Sequence, residues 1–150
     1  MTEKELNSLF ERDLLVWNEG DLSILDEILS PDFVRHEMDV EGKENIVGIE
    51  ANKENVKFNR TAFPDFHVTA DDAIIKDDTL VMRWTLTGTH LGQFGDVPPT
   101  GKKIKMHGAS IGKIKNGKFA EEWVYYNQVA GFAQMGFTFT PPKREAEPQF

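Results

Sequence analysis

The spacing of the apolar residues changes once along this chain, from a helical period to a strand period, near residue 64. In the first part, apolar side chains recur every three or four positions: Leu6, Leu9, Phe10, Leu14 and Trp17. This spacing predicts an amphipathic helix. We predict two more helices, over residues 21–29 and about 44–63, the second of them stopped by Pro64.

Beyond residue 65, segments rich in Val, Ile, Thr and aromatic residues are separated by turn sequences. Four strands are predicted, over residues 66–76, 80–90, 104–115 and 118–127. Helices followed by an antiparallel sheet are typical of an α+β domain. We expect one domain over residues 1–136 and an extended or disordered tail over residues 137–150.

The composition excludes several classes of function. The 150 residues include no Cys, so disulfides, Cys-based zinc sites and thiol nucleophiles are ruled out. Because 25 acidic residues outnumber 17 Lys and Arg, for a net charge of −8, we expect no binding to nucleic acid. The four His have no metal-ligand spacing, and no apolar run could span a membrane. We therefore expect a cytoplasmic protein without a metal site.

The last two predicted strands can pair in two registers around the turn at 116–117. A two-residue turn pairs Lys115 with Lys118, whereas a three-residue turn pairs Ile114 with Lys118. We favour the three-residue turn because it does not place two lysines directly opposite each other.

This register determines which side chains face the helices. With a three-residue turn, Ser110 and Met106 point inward together with four alternate residues of the last strand: Ala120, Glu122, Val124 and Tyr126. With a two-residue turn, Ser110 would instead share its face with Trp123.

The opposite face of this hairpin is too apolar to be left exposed to water. It would carry His107, Ile111, Phe119, Trp123 and Tyr125. An apolar sheet face of this kind predicts a homodimer interface. The alternative is that the C-terminal helix or the tail covers it.

Several short motifs occur in a fixed order between about residue 5 and residue 136. They are Val16-Trp-Asn-Glu-Gly-Asp-Leu, Ser30-Pro-Asp-Phe-Val with His36, Ala62-Phe-Pro-Asp-Phe, Arg83-Trp-Thr-Leu-Thr-Gly-Thr-His-Leu-Gly, Val97-Pro-Pro-Thr-Gly and Asn116-Gly-Lys-Phe-Ala-Glu-Glu-Trp. Through this ordered set the chain resembles the SnoaL-like polyketide cyclase family, which has the nuclear transport factor 2-like fold.

The resemblance implies a curved antiparallel sheet wrapped over three N-terminal helices, with a ligand cavity between them. It also implies no metal or organic cofactor, and dimerisation through the outer face of the sheet. Family cyclases use an Asp on the last strand as general acid/base and a His on the preceding strand. Alignment at the Asn116–Gly117 turn places Val124 and Ser110 at these two positions. Neither residue can replace that chemistry.

Glu122 is the acid that the favoured register places inside, where an apolar cavity would raise its pKa. Tyr126 and Ser110 are candidate hydrogen-bond donors to a ligand carbonyl or enolate. His36 is a third catalytic candidate because imidazole titrates near neutral pH. In the competing interpretation, Glu122 is an ion-paired residue whose partner is a Lys or Arg, with Arg83 as one candidate, and Ser110 is a satisfied core hydroxyl.

The predicted substrate-binding residues follow from the same faces and motifs: Trp17, Arg83, Met106, Ser110 and Val124. Two functions remain open. One is a cofactor-independent enzyme for an apolar carbonyl compound, of the cyclase, isomerase or hydrolase type. The other is a non-catalytic dimer that binds a hydrophobic small molecule.

Overall fold

A computed structural model describes residues 1–38 and 45–144. Helix α1 spans Glu3–Glu19, and a 3₁₀ turn over Leu22–Ile24 leads into the short helix α2, Leu25–Ile28. Helix α3 spans Ile49–Ala62, and α4 spans Gln128–Gln134. Six strands complete the fold: β1 Leu29–Met38, β2 Ile46–Val47, β3 His67–Lys76, β4 Thr79–Thr89, β5 Lys103–Lys115 and β6 Lys118–Tyr126.

Helix α1 has sequence signals at both ends. Thr2 and Glu5 form a reciprocal capping box, in which each side chain accepts a hydrogen bond from the backbone N–H of the other residue. The helix ends at Gly20, whose φ of 73° is left-handed. These signals hold the apolar stripe of α1 against the sheet, where Leu9 and Val16 are buried.

The strands form one curved sheet in the order β2-β1-β6-β5-β4-β3. Neighbouring strands are antiparallel except β1 and β6, which run parallel. The α+β class is confirmed, with a mixed sheet in place of a purely antiparallel one. The parallel pair arises because β1 comes from the helical half of the sequence and joins the sheet beside its last strand.

The third helix begins later than its sequence pattern indicated. Residues 46–47 pair with β1 as the short strand β2, and α3 starts only at Ile49, after Gly48 with a φ of 88°. Gly48 therefore marks the boundary between strand and helix. The first residue of the predicted helix, Glu44, lies outside the described residues.

The turn between β5 and β6 has two residues, contrary to the favoured three-residue turn. Asn116 and Gly117 have φ values of 52° and 77°, and Lys115 lies opposite Lys118. These positive φ values are those of a type I′ turn, which matches the twist of a hairpin. The local geometry of Asn-Gly thus outweighs the repulsion between Lys115 and Lys118.

A β-bulge follows this turn and changes the faces of β6. Ile114 pairs with Phe119, but Lys113 pairs with Glu121, so Ala120 is an extra residue. Phe119 precedes the bulge; the two-residue turn pairs it with the buried Ile114, so it points inward, which corrects its predicted place on the outer face. Beyond the bulge, the side chains face as predicted.

Residues 137–144 form neither helix nor strand, and residues 145–150 lie outside the described part. The division into a domain over residues 1–136 and a tail over 137–150 remains a prediction. Within the described residues, no helix is long and apolar enough to cross a membrane.

Candidate active site

The inner face of the sheet and the helices α1, α3 and α4 enclose a cavity of about 140 Å³. Its apolar wall includes Leu14, Trp17, Phe63, Phe66, Met82, Trp84, Phe94, Met106, Val124 and Phe132. Its polar groups include Asp13, Arg35, Glu37, Ser110, Glu122 and Tyr126. An engineered cavity of about 150 Å³ takes up benzene, so this volume suits roughly one six-membered ring. A larger molecule would have to extend beyond the enclosed part.

Arg35 is the cation of this polar group. In the parallel register of β1 and β6 it lies directly beside Glu122, and both side chains point inward. Its guanidinium is 3.1 Å from Glu122 Oε1 and 3.0 Å from Glu37 Oε1. Although burial lowers the pKa of Arg35, these two carboxylates outweigh burial and raise it, so Arg35 stays charged.

Glu122 has two further contacts through the neighbouring strands. The Ser110 hydroxyl donates a hydrogen bond to its carboxylate, and Trp84 Nε1 donates to Ser110 Oγ over 3.0 Å. Burial raises the pKa of Glu122, and the charge of Glu37 adds to this effect. Arg35 and Ser110 oppose it. The result is a buried carboxyl that is held in place and is less acidic than an exposed Glu.

Tyr126 contacts Glu37, the second carboxylate that pairs with Arg35. Burial and the charge of Glu37 raise the pKa of Tyr126, and its hydroxyl forms a hydrogen bond with Glu37. The phenol is therefore neutral at physiological pH. It positions Glu37, which in turn contacts Arg35.

Asp13 approaches the same cavity from helix α1. Removal from water and the charge of Glu122 together raise the pKa of Asp13 to about 7, although the charge of Arg35 opposes them. The sequence interpretation missed this residue, although a signal existed. Asp13 lies three residues after Phe10 and four before Trp17, within the apolar stripe of α1.

Arg35 and Glu37 were also missed, and strand alternation would have indicated them. Phe33 is buried on the inner side of β1, so the side chains two and four positions later share its face. Trp17 adds an aromatic contact to Arg35, whose guanidinium carbon lies 5.0 Å from the ring centroid. The ring of Trp17 also stacks on Phe66, with centroids 5.5 Å apart.

Six of the eight residues proposed from the sequence line this cavity: Trp17, Met106, Ser110, Glu122, Val124 and Tyr126. His36 does not, which corrects its proposed catalytic position. It lies one residue from Arg35 on β1 and so faces the outer side, stacked on Trp123 and 2.7 Å from Glu121 Oε1.

Arg83 is the second correction. Its neighbours Met82 and Trp84 point into the core, so Arg83 points outward, with 65% of its side chain exposed. Its guanidinium lies 3.9 Å from Asp71. Arg83 therefore neither lines the cavity nor pairs with Glu122, which is bound by Arg35 instead.

The outer face of the sheet carries a row of apolar side chains across its middle. The register places Ile74, Val81, Ile111, Trp123 and His36 side by side on five adjacent strands. Tyr125 and His107 lie on the same face, and both are exposed. The dimer predicted from this face stays a prediction.

No group of three or more His, Asp or Glu side chains within the described ranges is arranged to hold a metal ion. The polar cluster combines carboxyl groups with one guanidinium inside an apolar wall. This arrangement suits proton transfer and the orientation of a carbonyl group.

The family model of SnoaL-like polyketide cyclases matches residues 10–135. The chain belongs to the SnoaL-like polyketide cyclase family. Its fold is that of solved cyclases and of a protein from Catenulispora acidiphila described as ketosteroid isomerase-like. The match to the Catenulispora acidiphila protein has 15% sequence identity and a TM-score of 0.74, and it covers 89% of this chain and 97% of that protein.

Two solved structures share more of the sequence with this SnoaL-like protein. TsrD from Streptomyces laurentii is 26% identical, with a TM-score of 0.79, over 91% of this chain and 98% of TsrD. IdmH from Streptomyces antibioticus, a proposed polyketide cyclase, is 28% identical, with a TM-score of 0.73, over 87% and 98%. A search of curated proteins found no match.

Proposed function

We propose that this SnoaL-like protein is a cofactor-independent enzyme that moves a proton on a small, apolar carbonyl compound. The observation that supports this most is the placement of Glu122. Its carboxyl borders an apolar cavity, and Arg35 and Ser110 fix its orientation from the two neighbouring strands. A positioned base beside an aromatic-lined space is what abstraction of a carbon-bound proton requires.

In the proposed reaction, the Glu122 carboxylate removes a proton from the carbon next to the carbonyl group. The C–H electron pair moves into the carbonyl to form an enolate, and Glu122 becomes a neutral acid. Return of the proton to another carbon gives isomerisation. Attack of the enolate carbon on a second carbonyl gives cyclisation, with the proton delivered to the new alkoxide.

The proposed assignment differs from the usual acid/base pair of the family. We assign the positions of the family's Asp and His to Val124 and Ser110, which lie directly opposite each other in the pairing of β5 and β6. Glu122 is the next inward-facing residue along β6 from Val124. In this proposal the acid has moved by one inward position rather than being lost.

The other cavity residues are assigned roles that suit their contacts. The single hydroxyl proton of Ser110 already goes to Glu122, so Ser110 orients the base instead of binding the substrate carbonyl. Tyr126 positions Glu37. Trp17, Met106 and Val124 are proposed to contact the apolar part of the substrate, where a buried ring gains about 25 cal/mol per Å² of apolar surface.

The proposal is tested by proton exchange on 2-tetralone, a small bicyclic ketone, in D₂O. Loss of the C1 proton signal is followed by ¹H NMR with wild-type protein, Glu122→Gln and Glu121→Gln. Glu121 is the matched control because it is the adjacent acid on the outer face, in contact with His36. We expect Glu122→Gln to lower the catalysed rate by 10²- to 10⁴-fold and Glu121→Gln to leave it unchanged.

Equal rates for wild type and Glu122→Gln would show that Glu122 is not the base. No acceleration over buffer by the wild-type protein would count against enzymatic action on this class of ketone. Binding of 2-tetralone without exchange, seen as quenching of Trp17 or Trp84 fluorescence, would favour the second candidate function.

That second candidate is a non-catalytic dimer that binds a hydrophobic small molecule. The Arg35–Glu122 ion pair favours it, because an ion-paired carboxylate is a weaker base than an isolated one. A cavity of the same shape would then serve only to hold its ligand. Proton exchange distinguishes the two functions directly.

We also propose that the protein is a homodimer that buries the outer face of the sheet. Ile74 and Val81 of the apolar row are 62% and 38% exposed in the single chain, and Tyr125 on the same face is 40% exposed, which makes this face unusually apolar for a solvent-facing surface. The proposed contacts centre on Ile111 and Trp123, flanked by His107 and Tyr125.

A further inference from the structure

Asp13 is an acid in the cavity that the reaction described above does not use. It reaches the cavity from helix α1, whereas Glu122 reaches it from the sheet on the other side. Two acids from opposite layers thus face one apolar space. Their mutual electrostatic effect is part of what disfavours ionisation of Asp13.

The cavity holds more carboxyl groups than cations. Arg35 is the only Lys or Arg in the described lining, and its guanidinium pairs with Glu37 at 3.0 Å and Glu122 at 3.1 Å. Asp13 makes no hydrogen bond to any residue that the structure describes. If Asp13, Glu37 and Glu122 were all ionised, an apolar space would hold excess negative charge. A proton on one of the three carboxyl groups removes that excess.

The charged and titratable groups around Asp13 come from only two strands. Glu122 and Tyr126 face it from β6, and Arg35 and Glu37 face it from β1. The described lining residues of β3, β4, β5, α3 and α4 are apolar or are neutral amides and a hydroxyl. Only a few groups could therefore hold the extra proton of the cavity. Among the carboxyl groups, Asp13 is the one without an ion-pair or hydrogen-bond partner in the described chain.

We propose that Asp13 is the proton donor of the reaction, acting opposite Glu122. This inference rests on the proposed function and names the group that acts on the substrate oxygen. The neutral carboxyl of Asp13 gives its proton to the carbonyl oxygen while Glu122 takes the proton from the adjacent carbon. The product is a neutral enol, Asp13 becomes a carboxylate and Glu122 a neutral acid, so charge and protons balance.

The two environments divide the roles between the two acids. Arg35 and Ser110 stabilise the carboxylate form of Glu122, which suits a base. Asp13 has no such donors, and burial together with the charge of Glu122 raises its pKa to about 7, so a large share of it remains protonated at neutral pH. Two acids with separated environments are the usual basis for assigning an acid and a base.

The first test needs no substrate. The protein is labelled with ¹³C at Asp Cγ, the Asp13 signal is assigned with Asp13→Asn, and its shift is followed from pH 4 to pH 9. We expect a midpoint near pH 7 that falls by about one pH unit or more in Glu122→Gln, which removes the neighbouring charge. Asp65 is the internal control, since its hydrogen bonds with Thr89 lower its pKa.

A midpoint near 3.9, the ordinary value for Asp, would overturn the inference even where Glu122→Gln abolishes proton exchange. That pair of results would leave the proposed function intact. A midpoint near 7 together with no exchange by the wild-type protein would instead contradict the proposed function.

The second test uses the exchange of 2-tetralone as a function of pH. In the wild type we expect the rate to fall above about pH 7 as Asp13 loses its proton. Asp13→Asn is expected to be at least about tenfold slower at pH 6 and to lack this alkaline decline. Asp32→Asn, at an exposed position of β1, should match the wild type. An Asp13→Asn profile identical to that of the wild type would overturn the inference.

Discussion

Arg35 Nη1 lies 3.1 Å from Glu122 Oε1, and the two residues are also direct neighbours in the parallel register of β1 and β6. The backbone pairing of the two strands thus brings the two ion-paired residues together. Because the same guanidinium contacts Glu37 at 3.0 Å, Arg35 is the shared ion-pair partner of two carboxylates inside the cavity. The electrostatics of the site therefore depend on one cation.

Replacing Arg35 by Met should destabilise the protein strongly. The change leaves two buried carboxylates without a counter-charge, for which the typical loss is about 3–5 kcal/mol of unfolding free energy. Urea denaturation at pH 7.5 measures it. Arg83→Met is the matched control, since Arg83 is largely exposed and should change stability by less than about 0.5 kcal/mol. Equal effects of the two substitutions would contradict the assigned role of Arg35.

Asp13→Asn should become more stabilising as the pH rises. Between about pH 4 and pH 7, the folded protein keeps the Asp13 proton that the unfolded chain has already released. The folded state then binds more protons, so its unfolding free energy falls as the pH rises through this range. Because Asn cannot ionise, the Asp13→Asn variant does not show this fall in unfolding free energy.

Relative to the wild type, the variant should therefore gain stability from pH 4 to pH 8, by up to about 4 kcal/mol. Urea denaturation of both proteins at several pH values gives the difference directly. A difference that does not vary with pH would show that Asp13 titrates alike in the folded and unfolded states.

Ser110→Ala should affect both stability and the pH dependence of exchange. Trp84 Nε1 loses its acceptor, and an unsatisfied buried donor costs about 1–3 kcal/mol. Glu122 loses a hydrogen bond that lowers its pKa, so the acid limb of the 2-tetralone profile should move to higher pH. Ser23→Ala, which removes an exposed hydroxyl bonded to Asp21, should do neither. An unmoved acid limb would show that Ser110 does not orient the base.

Trp123→Lys should separate the proposed dimer. It places a charge within the outer apolar row, beside Ile111, where burial against a second copy would be unfavourable. Light scattering after size-exclusion chromatography should show twice the chain mass of 17.0 kDa for the wild type and the single mass for the variant. Val129→Lys, at an exposed position on α4, should remain dimeric. A monomeric wild type would exclude this interface.

Local sequence signals predicted most of the elements, because periodicity and turn residues act over a few positions. Gly48 shows the limit of this reasoning. The pattern alone continued the helix through it, whereas pairing of residues 46–47 with β1 converted the preceding segment into strand. Such pairing depends on Val34 and Arg35, which lie 11 to 13 positions earlier and outside the few residues over which a periodic pattern is counted.

The candidate site was predicted unevenly for a similar reason. Glu122 was found because the faces of β6 could be counted, but the one ion-pair candidate named for it was Arg83, whereas its partner is Arg35. The alternation of Met82, Arg83 and Trp84 already indicated an outward Arg83. The parallel pairing of β1 with β6 was not predictable from the hairpin, and it is this pairing that brings Arg35 to Glu122.

The extra residue at Ala120 affects how β6 should be compared with strands of related proteins. In a relative whose hairpin has the same two-residue turn but no bulge, each inward position of the last strand would lie one residue nearer to the turn. Counting residues from Asn116–Gly117 would then match an inward side chain with an outward one. A one-residue gap opposite Ala120 aligns inward side chains with inward side chains again. The two strands would then differ by an inserted residue, which shifts every later position by one.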